Sequence, residues 1–131
     1  MKLQYIIIYV EDVLKAVTFY EQAFGLQTQF IHESNDYAEM QTGETTLAFA
    51  ANEMLEYNTG ISAQTGDNRC CEIAFTTKNV QASFARAVAG GAEIIRKPEE
   101  KPWGQTVAYV RDDFGTLVEI CSPMGEHGTE E

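Results

Sequence analysis

The stretch that decides the fold runs from Trp103 to Pro123, WGQTVAYVRDDFGTLVEICSP. Two runs rich in β-branched and aromatic residues flank the turn Asp112–Gly115, whose glycine tolerates positive φ, so the stretch has the pattern of a β-hairpin. Pleating places Glu119 on one face of the second strand with Leu117 and Cys121. A carboxylate in an apolar strand is either exposed on a half-solvated sheet or functional.

Upstream of this hairpin, elements of the same kinds follow one another twice. The first set has strands over 3–10, 27–32, 37–41 and 45–51 and a helix over 13–24; the second has strands over 71–77, 93–97, 105–111 and 116–121 and a helix over 80–89. Helix N-caps are predicted at Asp12 and Asn79, and aligning these two residues aligns Tyr5 with Glu72. The terminal strands align separately, as TLAF on LVEI. Such self-similarity predicts an α+β fold of two βαβββ modules.

The predicted organisation is a single domain over residues 1–124, with modules at about 3–51 and 70–122. Between them, residues 52–69 are expected to form a partly ordered loop that covers a site, since the segment carries more apolar residues than a spacer needs. The acidic residues 125–131 are expected to form a disordered tail. A charged loop is predicted over 98–102.

Charge and cysteine content narrow the class of protein. Twenty acidic and nine basic residues give a formal net charge of −11, which argues against nucleic acids and anionic membranes as partners. The apolar start, LQYIIIYV, is too short to span a membrane. Three cysteines without a CxxC motif indicate neither a disulfide framework nor a zinc knuckle, so we expect a cytoplasmic protein.

The paired modules resemble the vicinal oxygen chelate superfamily, also known as the glyoxalase/bleomycin resistance protein/dioxygenase family. The resemblance is carried by IIIYVEDVLKAVTFYEQAFGL at residues 6–26 and KPWGQTVAYVRDDFGTLVEI at residues 101–120. It implies curved mixed sheets, paired around a cavity. It also implies that metal ligands, where the family has them, lie on the first and last strands of each module.

The positions that match these ligands are Tyr5, Ala48, Glu72 and Glu119. Only the two glutamates bind metals well, because alanine has no donor atom and a neutral phenol is a poor ligand. We therefore expect no cofactor and no glyoxalase I activity. Two carboxylates with water could still hold Mg²⁺ or Mn²⁺; Ni²⁺ or Zn²⁺ are further possibilities, and Glu72 and Glu119 are then the catalytic residues.

If Glu72 and Glu119 lie close together, their repulsion has four possible resolutions. These are a shared metal ion, a bound cation, a raised pKa that leaves one carboxyl protonated as part of an acid–base pair, or neutralisation by an arginine. The candidate arginines are Arg69, Arg86 and Arg111. Of the two histidines, His32 is expected to be an exposed strand-end residue and His127 a solvated residue of the tail.

The predicted ligand-binding residues are those whose strand faces or loops border the expected cavity. They are Tyr5, Ile7, Tyr9, Ala48, Trp103, Tyr109, Phe30, Met54 and Tyr57, and Tyr37 is expected at the rim. An aromatic, mostly apolar pocket is typical of small-molecule sites.

The sequence thus favours a homodimer that binds a small aromatic or cationic molecule without a full metal site. One alternative is a divalent-metal-dependent lyase or isomerase that uses Glu72 and Glu119. Another is a non-catalytic subunit whose cavity is filled by its own side chains.

Overall fold

A computed structural model describes residues 1–63 and 71–124. The chain divides into two compact units, Met1–Thr65 and Gly66–Glu131. The first contains β1 (Tyr5–Val10), α1 (Val13–Phe24), β2 (Gln27–Ile31), β3 (Tyr37–Gln41), β4 (Thr46–Ala51) and α2 (Asn52–Thr59). The second contains β5 (Glu72–Thr76), α3 (Val80–Ala89), β6 (Glu93–Glu100), β7 (Thr106–Arg111) and β8 (Leu117–Cys121).

Each unit has a four-stranded mixed sheet with the same strand order. The orders are β1-β4-β3-β2 and β5-β8-β7-β6. In both sheets the first and last strands of the unit pair in parallel, and the remaining pairs are antiparallel. The predicted α+β fold with two modules of the same element order is confirmed.

Both predicted N-caps form. The Asp12 carboxylate accepts a hydrogen bond from the Lys15 N–H at 3.1 Å, and the Asn79 side chain accepts one from the Ala82 N–H at 3.0 Å. Each bond satisfies an N–H that the first helical turn leaves without a partner. The bounds of α1 and α3 agree with the predicted 13–24 and 80–89.

The core of each unit lies between its helix and one face of its sheet. In the first unit, α1 packs on β2, β3 and β4, and the fully buried Tyr20 contacts Phe49 with a ring separation of 4.8 Å. In the second unit, α3 packs on β6, β7 and β8, where Val118 and Ile120 are buried. No helix within the described ranges is both long and apolar enough to cross a membrane.

Two predicted loops are partly regular structure. The start of the predicted loop 52–69 is α2, which Gly60 ends at a φ of 78° while its N–H donates to the Glu56 carbonyl. The predicted loop 98–102 begins as strand, because β6 continues to Glu100. Since β6 is an edge strand whose register shifts between Arg96 and Glu99, it accommodates Pro98, which has no N–H to donate.

Some predictions fall outside the described residues. These are the remainder of the predicted loop from residue 64 onward, the disordered tail over 125–131, and the solvated position of His127.

Cys71 is exposed and Cys121 is buried.

The turn between β7 and β8 holds a buried carboxylate. Asp112 is only 5% exposed. Its Oδ1 accepts hydrogen bonds from the N–H groups of Phe114 at 2.9 Å and Thr116 at 2.8 Å. The side chain is buried because it replaces water as the acceptor for these two turn donors.

We expect Asp112→Ala to lower the free energy of unfolding by about 2 kcal/mol, because two turn N–H groups lose their acceptor. Urea denaturation of the full chain measures this change. The matched control is Asp113→Ala at the adjacent exposed position, which should change stability by less than about 0.5 kcal/mol. Equal effects of the two substitutions would contradict a specific role for the Asp112 side chain.

Candidate functional site

Strand β4 carries small side chains on the sheet face opposite α1. Phe49 points toward α1, so pleating turns Thr46, Ala48 and Ala50 to the other face. The strand register places Ala50 between Tyr9 of β1 and Tyr37 of β3. Small side chains flanked by large ones leave open space above the middle strand.

This space is part of a cavity of about 440 Å³ within the first unit. Helix α2, which packs on β1 and β4, contributes two of its lining side chains. The residues that line the cavity are Ile7, Tyr9, His32, Ser34, Asp36, Tyr37, Ala50, Met54 and Asn58. Its volume lies within the range of about 300–1,000 Å³ that is usual for small-molecule sites.

The polar wall of the cavity comes from the turn between β2 and β3. The His32 Nδ1 lies 2.7 Å from the Ser34 Oγ, and the Ser34 hydroxyl donates a short hydrogen bond to the Asp36 Oδ1. Asn35 has a φ of 63°, a left-handed conformation that asparagine adopts more readily than most residues. The turn thereby links three polar side chains.

A second polar network lies beside the cavity on β3. The Tyr37 hydroxyl donates to the Glu39 Oε2 at 2.8 Å, and the Gln29 Nε2 donates to the Glu39 Oε1 at 3.0 Å. Burial and this hydrogen bond to Glu39 raise the pKa of Tyr37. Glu39 is the register partner of Ala48. A carboxylate therefore lies beside Ala48, which stands at a position that the resemblance assigns to a metal ligand.

The carboxylates of the second unit lie on β5 and β8. Glu119 is paired with Ala74 of β5 and with Tyr109 of β7, and Glu72 is paired with Leu117. The two glutamates are therefore diagonal neighbours on adjacent strands. Glu72 and Glu119 lie close enough for a hydrogen bond between their side chains, which is the first cause of the raised pKa of Glu72.

That contact changes the protonation of the groups around it. The hydrogen bond with Glu119, followed by burial and the Glu119 charge, raises the pKa of Glu72. Burial, then the charges of Glu119 and Glu72, raises the pKa of Tyr109. Burial and the Glu119 charge raise the pKa of the Cys121 thiol to about 11, which makes this thiol a poor nucleophile at neutral pH.

The raised pKa of Glu72 favours a protonated carboxyl in this pair over two like charges. The causes of its raised pKa are Glu119 and burial. The Nε of Arg111 lies 4.0 Å from the Glu93 Oε1, and Arg69 lies outside the described residues.

A resident metal with three or four protein ligands does not fit the donor set. Of the four positions implied by the resemblance, only Glu72 and Glu119 carry metal-binding side chains, and Ala48 is fully buried. In the described part of the chain, no three His, Cys, Asp or Glu side chains are grouped closely enough to hold a metal ion.

The predicted ligand-binding residues have different positions. Ile7, Tyr9 and Met54 line the cavity, whereas Tyr5 and Ala48 lie on the same sheet face without lining it. The other four predicted residues do not line the cavity. The Phe30 ring lies 6.3 Å from that of His32, and Tyr57 is 84% exposed. The Trp103 Nε1 donates to the Gln105 Oε1, and Tyr109 lies in the second unit. The ligand-binding set and the homodimer stay predictions.

Sequence reasoning missed several of the polar residues at this site. The residue pattern assigns no role to Ser34, Asp36 or Asn58 and predicts Glu39 only as part of a strand. His32 is the exposed residue that follows β2, as predicted, and it also lines the cavity. The available signal was the alternation Tyr37, Glu39, Gln41, which places a carboxylate beside a tyrosine on one strand face.

Comparisons with known proteins agree with this architecture. A family model described as "Glyoxalase/Bleomycin resistance protein/Dioxygenase superfamily" matches residues 2–120. The uncharacterized protein YraH of Bacillus subtilis is 27% identical over 92% of this chain and 97% of its own length. A probable lactoylglutathione lyase of Vibrio cholerae is 27% identical over 90% of this chain and 88% of its own. The crystal structure of a glyoxalase-related enzyme from Fulvimarina pelagi superposes with a TM-score of 0.83 at 21% identity, covering 94% of this chain and 88% of that one.

We expect Glu72→Gln to flatten the pH dependence of stability. Since the pKa of Glu72 is raised in the folded protein, the folded state keeps a proton that the unfolded chain releases above about pH 4.3. The free energy of unfolding therefore falls as the pH rises from there through the raised pKa. The glutamine variant has no such proton in either state. The free energy of unfolding of the variant, relative to that of the wild type, should therefore be higher at neutral than at acidic pH.

Urea denaturation between about pH 4 and pH 8 measures this effect. Glu100→Gln, at an exposed position, is the control and should retain the wild-type slope. A wild-type slope in Glu72→Gln would contradict the hydrogen bond between the two carboxyls.

Proposed function

We propose that this chain, which belongs to the Glyoxalase/Bleomycin resistance protein/Dioxygenase superfamily, binds a small aromatic or cationic molecule in the cavity of its first unit. The observation that carries the proposal is the cavity itself, about 440 Å³ with tyrosine, isoleucine, methionine and alanine walls. Apolar walls with a few polar groups are the usual composition of ligand sites.

The cavity favours flat apolar ligands for a geometric reason. Tyr9 and Tyr37 lie on either side of Ala50 in one cross-strand row, so a ring placed above the alanine can contact both aromatic side chains. Burying about 200 Å² of apolar ligand surface provides about 5 kcal/mol. The loss of translational and rotational freedom offsets much of this gain, so an apolar compound alone should bind no tighter than micromolar.

We expect N-phenyl-1-naphthylamine, a neutral aromatic dye whose fluorescence rises in apolar surroundings, to bind the wild-type protein. Ala50→Phe should weaken this binding at least about tenfold, because the added ring fills the space between Tyr9 and Tyr37. A fluorescence titration of the full chain measures the affinity. Thermal unfolding shows whether the variant is folded.

The matched control is Ala89→Phe, which adds the same ring at the exposed end of α3 in the other unit. It should leave the affinity unchanged. Equal affinities for the wild type and a folded Ala50→Phe would show that the dye binds elsewhere and would contradict the proposal.

The alternative function is a divalent-metal-dependent lyase or isomerase that uses Glu72 and Glu119. The contact between these carboxyls favours it, because a divalent cation would also relieve their repulsion. The donor set argues against it, since the described residues offer two such side chains rather than four at the implied positions.

Binding is therefore expected to need no metal. Protein dialysed against EDTA should bind the dye with unchanged affinity, and Mn²⁺, Mg²⁺, Ni²⁺ or Zn²⁺ should not raise its melting temperature. A metal that binds near one equivalent, stabilises the fold as mass action requires, and is lost in Glu119→Gln would favour the enzyme instead.

A further inference from the structure

The turn between β2 and β3 gives the cavity a definite hydrogen-bond polarity. An ionised carboxylate can only accept, so the Ser34 hydroxyl must donate to Asp36. Ser34 then has only lone pairs to offer His32, and its Oγ lies 2.7 Å from the His32 Nδ1. The Ser34 backbone N–H donates to the same Nδ1 at 3.1 Å, so local hydrogen bonds hold the turn together.

The turn thus presents a charged acceptor to a ligand. The Asp36 carboxylate is half-buried and uses one oxygen for Ser34, which leaves lone pairs on the other. Among the described residues that line the cavity there is no lysine or arginine. An anionic ligand would therefore meet a carboxylate without a compensating cation, whereas a cation would meet an acceptor of opposite charge.

From this polarity we infer that the turn His32–Ser34–Asp36 makes the cavity selective for aromatic molecules that carry a protonated nitrogen, such as an amine or amidine. The inference rests on the proposed function, because it concerns the same cavity. The sheet supplies the aromatic walls for the ring, and Asp36 supplies the charge for the nitrogen. Tyr9 and Tyr37 add faces to which a cation is attracted.

The test uses three compounds with one ring system and different charges. They are 1-naphthylmethylamine, which is protonated at neutral pH, the neutral 1-naphthalenemethanol, and the anionic 1-naphthoate. Calorimetric titration of the full chain should give the amine an affinity about tenfold above that of the alcohol, as expected for one charge-assisted hydrogen bond. The naphthoate should bind more weakly than the alcohol.

Asp36→Asn removes the charge but keeps an oxygen that can accept from Ser34. It should reduce the amine-to-alcohol affinity ratio to about one and leave the affinity for the alcohol unchanged. Glu33→Gln is the matched control, because Glu33 is exposed in the same turn and does not line the cavity. It changes the net charge equally and should keep the wild-type ratio.

Ser34→Ala separates charge from turn geometry. It keeps the Asp36 carboxylate while removing the bridge to His32, so the preference for the amine should persist. Loss of the preference in Ser34→Ala but not in Asp36→Asn would overturn the assignment of Asp36.

The results distinguish this inference from the proposed function. If the alcohol and the amine bind equally and Ala50→Phe weakens both, the cavity binds aromatic molecules but the inference is wrong. If none of the three compounds binds, the inference is wrong, and if N-phenyl-1-naphthylamine does not bind either, the proposed function is wrong as well. An equal loss of preference in Glu33→Gln and Asp36→Asn would mean that overall charge, rather than the turn, attracts the cation.

Discussion

The register between β1, β4 and β3 is the constraint on which the first unit's site depends. It places Ala50 beside both Tyr9 and Tyr37 while Phe49 packs against Tyr20 on the opposite face. A shift of one residue would exchange these faces, turning the aromatic core side chain into the cavity. The same hydrophobic packing that fixes the fold therefore also fixes the shape of the cavity.

The two units share one strand order but carry different side chains at corresponding positions. Their strand orders correspond, yet the alanine at position 48 of β4 corresponds to Glu119 of β8. On the neighbouring strand the carboxylate is in the other unit. Glu39 of β3 is paired with Ala48, whereas Tyr109 of β7 is paired with Glu119. In the first unit the carboxylate accepts hydrogen bonds from Tyr37 and Gln29. In the second unit the carboxylate lies beside another carboxyl, whose pKa it raises.

Periodic segments with strong caps could be predicted from the sequence, and the remainder depended on tertiary contacts. Helix α1 has an aspartate cap and a continuous buried face, whereas the N-cap residue of α2, Ala51, makes no side-chain cap hydrogen bond and α2 buries no residue completely. Its helical form becomes favourable through packing on β1 and β4. The importance of Glu39 and Asp36 likewise comes from cross-strand register and turn geometry, which local residue patterns do not encode.

The polar and apolar parts of the cavity are built by separate elements, and this separation has a functional consequence. The walls belong to a sheet held by core packing, whereas the hydrogen bonds of the polar turn connect residues within a few positions of one another. A turn held by its own hydrogen bonds is organised before a ligand arrives, which lowers the ordering cost of binding. Because substitutions in the turn leave the sheet core untouched, ligand preference can change while the fold is retained. This is a physical reason why one architecture can serve proteins with different chemistry.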